Sequence, residues 1–437
     1  MTPAPSPLPQ HAWHENQPWK TLFAAIWTGQ AFSLLGSQLV QFALIWWLTQ
    51  ETGSATVLAT AALVGQLPQI LIGPIAGALV DRWDRRAVMI VADGGVALST
   101  LWLVYLFAVG AADTPHVFLV LMLRSTGGAF HWPAMQASTS LMVPKQHLPR
   151  VAGFNQMLSG AINIVAPPFG ALLLKALPIE QVLAIDIATA AIAIVPLLFI
   201  AVPQPDPEPD RAGSGRPGVL HDLTEGFRYA AHLPGLMTFF GVAIVVSFVF
   251  FPAIALIPIL VTDHFGGAAL QLAWMDSAWG IGIVLGGLTL GVWGGFKRLM
   301  DTAGFGLCGQ GIGMAVVGIA PASGFAIGVG GLFFTGFMFP ITNGPLQAIL
   351  QSNVAPSMQG RIFTLMNSIT SAVTPVSLLI AGPVADAVGV RFWFALAGIT
   401  CLLCSTTALF FPPLRNLEAD MQADTARREQ LQAAQPT

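Results

Sequence analysis

The composition of this chain excludes a soluble globular protein, because 54% of its 437 residues are hydrophobic and 9% are charged, against roughly 25% charged residues in a soluble chain. The mean hydropathy is +0.71, and the net charge of −3 is small and gives no indication of a nucleic-acid partner. A membrane-spanning helix needs about 20 apolar residues, so the length accommodates about a dozen spans and leaves no large soluble domain.

The first residues, 1–20, form a polar segment that ends at the first apolar run. This segment lacks the basic start, short apolar core and cleavage site of a secretory signal, so we expect it to be retained and cytoplasmic. Apolar runs broken by charges or by glycine and proline then predict membrane spans. They form an N-terminal half, 21–202, with spans near 21–48, 56–80, 87–110, 116–137, 152–175 and 181–202.

Residues 203–234 differ in composition from both flanking regions and predict a cytoplasmic linker. Its first part, 203–218, is too polar and too rich in proline and glycine to pack into a core. The apolar residues that follow recur at helical spacing opposite charged ones and predict an amphipathic helix on the membrane surface: Val219, Leu220, Leu223, Phe227 and Ala231.

A second set of six apolar runs forms a C-terminal half, 235–411, and a charged cytoplasmic tail, 412–437, follows it. The predicted spans lie near 235–262, 270–295, 301–320, 324–348, 361–383 and 391–411. Polar residues interrupt the fourth, tenth and eleventh spans of the chain, so their bounds are the least sharply defined.

The distribution of basic residues predicts the orientation of the spans. With the N-terminus inside, 15 of the 18 lysines and arginines lie on the inner side. The outer side holds Lys175 and Arg391, and Arg124 lies within a span. This excess on one side supports an even number of spans with both termini in the cytoplasm.

The two halves carry a related pattern of residues. The segment Pro133 to Ala137, followed by Arg150, is echoed by Pro345 to Ala348, followed by Arg361, at an offset of roughly 212 residues. Parallel repeats of six spans around a central cavity are a known architecture of transporters. The pattern therefore predicts two pseudo-symmetric six-helix halves.

A motif at the end of the second span combines glycines, an acid and a basic cluster: Gly73, Gly77, Asp81, Arg82, Arg85 and Arg86. Glycines four residues apart let two helices approach closely. We expect Asp81 to lie against the positive N-terminal end of a helix of the other half, near 357–361, and so to hold the inner side closed. The arginines are expected to bind acidic groups or lipid phosphate. Alternatively, they only fix the topology.

Charged residues inside the spans are the candidates for proton coupling. Arg124 needs a partner or a wet cavity, and both Asp93 and Asp186 are open as partners. Asp93, Asp186 and Asp276 are candidate proton carriers, with Asp276 near the outer end of its span. The alternative for each acid is a purely structural ion pair.

Amide and aromatic side chains interleaved with apolar ones predict a substrate cavity for amphipathic, weakly charged ligands. The candidates are Gln30, Gln38, Gln41, Phe42, Gln66, Gln69, His131, Phe250, Asn343 and Gln347. The alternative is that they form hydrogen bonds between helices or face lipid. The first span contains no acid, which argues against a specialised site for cations there.

Taken together, these motifs resemble the major facilitator superfamily of transporters. The resemblance to its macrolide-efflux and enterobactin-exporter types rests on the motif before span three and on three further segments, 85–93, 133–137 and 359–363. It implies an all-α membrane fold of twelve helices in two pseudo-symmetric halves. It also implies a monomer in the bacterial inner membrane, in contact with the lipid bilayer.

The same resemblance implies a function for the chain. We expect export of small amphipathic compounds, such as macrolides or siderophore-like metabolites, by alternating access and proton antiport, with the proton gradient as energy source and no cofactor. A lipid or lysophospholipid flippase of the same fold is the alternative. An enzyme is not expected, because the sequence offers no metal-ligand cluster and no nucleophile motif.

Overall fold

The computed structural model describes residues 19–80, 82–200, 202, 204, 219–232, 234–354, 356–419 and 421. Within these ranges the chain is helical and contains no strand. The first six long helices are α1 (Trp19–Thr52), α2 (Ala55–Val80), α3 (Arg85–Ala108), α4 (Thr114–Met142), α5 (Leu148–Ala176) and α6 (Ile179–Phe199). They correspond to the first six predicted spans.

A short helix separates these six from the second set. This helix, α7 (Val219–Ala231), lies where the amphipathic pattern was predicted. The remaining long helices are α8 (Pro234–Ala255), α9 (Ala269–Trp293), α10 (Leu299–Ile319), α11 (Phe325–Asn353), α12 (Pro356–Val388) and α13 (Val390–Phe410). Helix α7 packs against α8 and α12, and its Glu225 forms an ion pair with Arg361 of α12.

Eleven helices in the described part of the chain are long and apolar enough to cross a membrane. Helix α4 has 29 residues but falls short in apolar content, because it carries Arg124 and a series of hydroxyl residues. It forms one continuous helix at the position of the fourth predicted span. The twelve-span, all-α membrane fold predicted from the sequence is therefore what the structure shows.

The seventh span is shorter and less regular than predicted. The apolar run over 235–262 predicts one helix, whereas α8 ends at Ala255 and is followed by a turn at Ile257–Ile259 and a π-helical turn at Leu260–His264. Pro258 supplies no backbone N–H, so a regular α-helix is not continued through this point.

Contacts between Cα atoms divide the chain into two compact units. The first unit comprises 1–44 and 64–211, and the second comprises 45–63 and 212–437. The end of α1 and the start of α2 thus group with the second unit, although both precede the linker. Within that unit Asp386, near the end of α12, accepts hydrogen bonds from the backbone N–H groups of Ala55 (2.7 Å) and Thr56 (3.0 Å) at the start of α2.

Small residues set the helix packing in both units. In the first unit, α3 packs against α4 and α6, and a Cβ on Gly29 of α1 would lie within about 3.0 Å of the Ile192 carbonyl oxygen of α6. In the second unit, α10 packs closely on α11 and α13. A Cβ on Gly311 or Gly318 would come within 3.0 Å of the α13 backbone. Glycine at these positions lets the helices approach without that overlap.

Candidate functional site

A polar cavity of about 400 Å³ lies inside the first unit, between α1, α2, α3, α4, α5 and α6. It brings together most of the polar side chains that the sequence singled out in the first half. They are Gln30, Gln38, Gln41, Gln69, Asp93, Arg124, His131 and Asp186, joined by Ser33, Ser37, Ser125 and Asn155. The cavity therefore combines charged groups with amides and hydroxyls in the interior of membrane-spanning helices.

Arg124 of α4 pairs with Asp186 of α6. The Nη1 atom of Arg124 lies 2.5 Å from Oδ2 of Asp186, and the two side chains are 9% and 1% exposed. The Thr100 hydroxyl accepts a hydrogen bond from the guanidinium (2.8 Å), and Ser37 donates to the other carboxylate oxygen (3.2 Å). The carboxylate is thus compensated by a cation and further hydrogen bonds, as a buried charge requires. The sequence leaves both Asp93 and Asp186 open as partners of Arg124, and the structure pairs Arg124 with Asp186.

Asp93 of α3 has a different environment in the same cavity. Its Oδ2 accepts a hydrogen bond from Gln30 (3.2 Å), and its Oδ1 lies 3.4 Å from Nε2 of His131. That histidine nitrogen is buried and forms no hydrogen bond within the described residues. The negative charge of Asp93 therefore has fewer compensating partners than that of Asp186.

Two further hydrogen bonds order the amides around the cavity. Gln38 donates to Asn163 of α5 (3.0 Å), and the Trp27 indole donates to Asn155 of α5 (2.7 Å). The sequence reasoning did not assign Thr100, Trp27, Asn155 or Asn163 to the site. For Thr100 a signal existed, because it follows Asp93 by seven residues, about two helical turns, and so lies on the same face of α3.

The second unit holds its own pocket of about 270 Å³, which is mainly apolar. Phe250 and Asn343, both predicted as cavity residues, line it together with Phe339 and Gln310. The rings of Phe250 and Phe339 both lie against Trp279, with centroids 5.8 Å and 5.6 Å away. The predicted substrate residues are thus divided between a polar cavity in one unit and an aromatic pocket in the other.

The remaining predicted cavity and coupling residues lie outside both spaces. Phe42 is buried and packs on Gly170 of α5, where the missing side chain leaves room for its ring. Gln66 and Gln347 are exposed and line neither pocket. Asp276 of α9 is half-buried, lines neither pocket, and forms no ion pair with any residue that the structure describes.

The motif at the end of α2 is only partly described. Asp81 lies outside the described residues, so its predicted contact with 357–361 stays a prediction. A Cβ added to Gly73 or Gly77 would meet no described atom within 4 Å. The close helix approach that these glycines predict therefore stays a prediction, like the contact of Asp81.

The three arginines of the motif are held in different ways. Arg85 is buried and donates to the backbone carbonyl of Ala137 (3.0 Å), and Arg86 donates to that of Leu198 (2.6 Å). Both thus tie the start of α3 to neighbouring helix ends. Arg82 is exposed, and within the described part of the chain its guanidinium forms neither a hydrogen bond nor an ion pair.

Twelve long helices, of which the first six surround a cavity with buried charges and amides, are the features of a polytopic membrane transporter. A model of the Major Facilitator Superfamily matches residues 26–254, more than half of the chain. The chain belongs to the Major Facilitator Superfamily, which confirms the family expected from the sequence motifs.

The curated relatives of this chain include efflux proteins. Macrolide efflux protein A of Streptococcus pyogenes is 36% identical over 388 residues, which are 88% of this chain and 94% of that protein. Multidrug efflux pump Tap of Mycolicibacterium fortuitum is 27% identical over 411 residues, 91% of this chain and 96% of its own. The similarity therefore extends over nearly the whole length of both chains in each pair.

Solved structures of distant transporters share the fold. The nucleoside transporter NupG superposes with a TM-score of 0.70 at 13% identity, covering 90% of this chain and 99% of its own. A bacterial homologue of the iron transporter ferroportin, in an inward-facing state, gives 0.67 at 13% identity with the same coverage. At these identities the superpositions show the fold alone.

Proposed function

We propose that this transporter exports amphipathic, weakly basic compounds of the macrolide type in exchange for protons. The observation that carries the proposal is the 36% identity with macrolide efflux protein A over 88% of the chain. The polar cavity of the first unit supplies the chemistry that such an exchange needs.

The charge balance of the cavity favours a cationic amphipathic ligand. Among the described residues that line it are two carboxylates, Asp93 and Asp186, and one guanidinium, Arg124. Because Arg124 and Asp186 neutralise each other, Asp93 carries the net negative charge of the cavity when His131 is neutral. An ammonium group of the substrate is stabilised next to that charge in a low-dielectric environment. The surrounding amides accept and donate hydrogen bonds to its hydroxyl and carbonyl groups.

Competition for Asp93 couples the two fluxes. A single carboxylate binds either a proton or an ammonium group, since both neutralise the same charge. When substrate is released to the outside, Asp93 takes up a proton from that side. The transporter with the protonated, neutral Asp93 then returns to the inward-facing state, where substrate displaces the proton. The proton gradient then drives export, because each ligand lowers the affinity for the other by the same factor. In this scheme His131, 3.4 Å away, orients the carboxyl and passes the proton.

Purified protein in liposomes tests this function. We expect a macrolide with a tertiary amine to accumulate in vesicles with an acidic interior, beyond the passive accumulation measured in protein-free liposomes. Adding the macrolide outside should also release protons from the lumen, read with an entrapped pH dye. If the protein moves no macrolide but flips a labelled phospholipid, the proposal is wrong and the flippase takes its place.

Two acid-to-amide variants locate the coupling group. Asp93→Asn should lower proton-driven accumulation at least tenfold, because it removes the exchangeable carboxylate while keeping the side-chain shape. Asp276, the candidate carrier that lines neither pocket, is the comparison: Asp276→Asn should transport like the unmodified chain, and a loss in this variant alone moves the coupling role to Asp276. Normal gradient-driven transport by Asp93→Asn contradicts the coupling role of Asp93.

A further inference from the structure

A third space, a mainly apolar groove of about 740 Å³, runs along the outside of the first unit between α3 and α4. It begins at Arg82, Trp83 and Asp84, in the connection between α2 and α3 that carries the basic motif. Its floor and walls are the aliphatic and aromatic residues Val88, Val91, Val96, Leu123 and Phe130 with the small residues Ala92, Gly95 and Gly127. Ala92, Val96 and Gly127 also line the polar cavity, so the groove lies directly behind it, but the transport cycle proposed above assigns the groove no role.

The polar end of the groove carries a cation that is free to bind a ligand. Arg82 is exposed and unpaired within the described part of the chain, whereas Arg85 and Arg86 are held by backbone carbonyls. The Asp84 carboxylate accepts a hydrogen bond from the Ala87 N–H (2.7 Å) as the N-cap of α3. With one acid and three arginines, the described residues at this end have a net positive charge, which favours an anion.

An aromatic pair lies next to this cation. The ring of Trp83 stacks on Phe130 of α4 with a centroid distance of 6.2 Å and an interplanar angle of 14°, and Trp83 remains 50% exposed. A half-exposed tryptophan beside an arginine is the arrangement typical of the membrane–water interface. The groove therefore begins at headgroup level and continues into the hydrocarbon region.

The length of the groove fits one acyl chain. From Asp84 to Val96 it follows 12 residues of α3, or about 18 Å at the rise of an α-helix. This length exceeds half of the hydrocarbon core of about 30 Å, which is the depth that one acyl chain spans. Val91, near its middle, is 73% exposed, and Gly95 leaves its far end open, with no described atom within 4 Å of an added Cβ. A long apolar chain can therefore lie against α3 without displacing protein atoms.

We propose that this groove binds one anionic phospholipid, with its phosphate on Arg82, its glycerol backbone near Trp83 and an acyl chain along Val91 and Gly95. The proposal does not depend on the substrate of the transporter. Charge complementarity selects the occupant, because an uncharged apolar molecule leaves Arg82 unused and a soluble anion leaves the apolar length of the groove exposed.

Native mass spectrometry of the purified transporter, titrated with phosphatidylglycerol, tests the site. Arg82→Gln should reduce tight lipid binding about tenfold because it removes the phosphate partner. Gly95→Phe should do the same because its ring fills the apolar part. The matched controls are Arg150→Gln, an exposed arginine away from the groove, and Gly94→Phe, an adjacent glycine that does not line it. Both controls should bind as the unmodified chain does.

The outcomes separate specific binding from general lipid adhesion. Equal binding by Arg82→Gln and Arg150→Gln, or by Gly95→Phe and Gly94→Phe, overturns the proposal. Tighter binding of phosphatidylethanolamine than of phosphatidylglycerol also overturns it, because the selection is then for an ammonium group on Asp84. Thermal unfolding of each variant shows whether it is folded. As a second readout, phosphatidylglycerol should raise the unfolding temperature of the two controls, as it does for the unmodified chain, but not that of Arg82→Gln or Gly95→Phe.

Discussion

At the scale of single residues, the cavity contains two acids whose negative charges are compensated by neighbouring groups to different extents. Asp186 is fully buried and has a guanidinium and two hydroxyl groups around it, whereas Asp93 has one amide donor and a histidine at 3.4 Å. A compensated carboxylate is suited to a fixed structural charge, and the less compensated one is suited to exchange a proton or bind a cation. This difference assigns separate roles to acids of the same chemistry.

The ion pair gives a prediction about stability. Arg124→Gln leaves the Asp186 charge buried without its partner, so we expect the free energy of unfolding to fall by about 3 kcal/mol. The double variant Arg124→Gln with Asp186→Asn removes both charges and should recover most of that loss. The measurement is thermal unfolding in detergent. A double variant as unstable as Arg124→Gln argues that Arg124 acts through its size or its contacts with Ser37 and Thr100.

At the scale of helices, glycine rather than hydrophobicity sets the contacts, since lipid is as apolar as the helix surfaces and supplies no hydrophobic drive for association. Helix α10 shows this most clearly. A Cβ on Gly313 would overlap the Thr335 side chain and the backbone of α11, and one on Gly306 would overlap Thr342 of the same helix. Backbone proximity of this kind also allows the hydrogen bond from Gln310 of α10 to Thr342.

Replacement of one of these glycines should separate α10 from α11. We expect Gly313→Ala to lower the free energy of unfolding by about 2 kcal/mol, because the added methyl group forces the two backbones apart. Gly330→Ala, on α11 and with no described atom near its added Cβ, is the control and should be neutral or slightly stabilising. Equal thermal stability of the two variants contradicts this account of the packing.

A second helix-scale feature is the cap on α2. Four groups at its start, two backbone N–H groups and the hydroxyls of Ser54 and Thr56, donate to Asp386 of α12. The sequence predicts that Asp81, directly after α2, lies at the N-terminal end of α12, which stays a prediction, and the structure shows an acid of α12 at the N-terminal end of α2. Both arrangements use the same attraction between a carboxylate and a helix N-terminus.

Removal of this cap should destabilise the second unit. Asp386→Ala leaves four donors without their shared acceptor, and we expect a loss of about 1 kcal/mol in the free energy of unfolding. Asp386→Asn, which keeps one acceptor oxygen, should retain part of it. Hydrogen exchange of the Ala55 and Thr56 amides reports the local effect. Unchanged protection of these two amides in Asp386→Ala contradicts the assignment of the cap.

At the scale of the whole molecule, the basic residues predict how the protein lies in the membrane. In a background without the three native cysteines, a membrane-impermeant maleimide should label Ala111→Cys in intact cells, because the turn after α3 is predicted to lie outside. It should label Lys297→Cys only after cell disruption, because the turn after α9 is predicted to lie inside. Both positions are exposed in the structure. The reverse labelling pattern means that the orientation is inverted.

The sequence by itself determined the helices, their order and the family, because backbone groups in lipid must be paired within each segment and this forces recognisable apolar runs of about 20 residues. It also placed Asp93, Arg124 and Asp186 within the membrane. Only the tertiary structure decided that Arg124 pairs with Asp186, 62 residues away, and that Phe42 is buried rather than lining the cavity. It also decided that, among the described residues, Arg82 is the arginine of its cluster whose guanidinium has no partner. The physical reason is that the rotation of each helix about its axis depends on its neighbours. Close packing at glycines fixes that rotation, and sequence spacing does not reveal it.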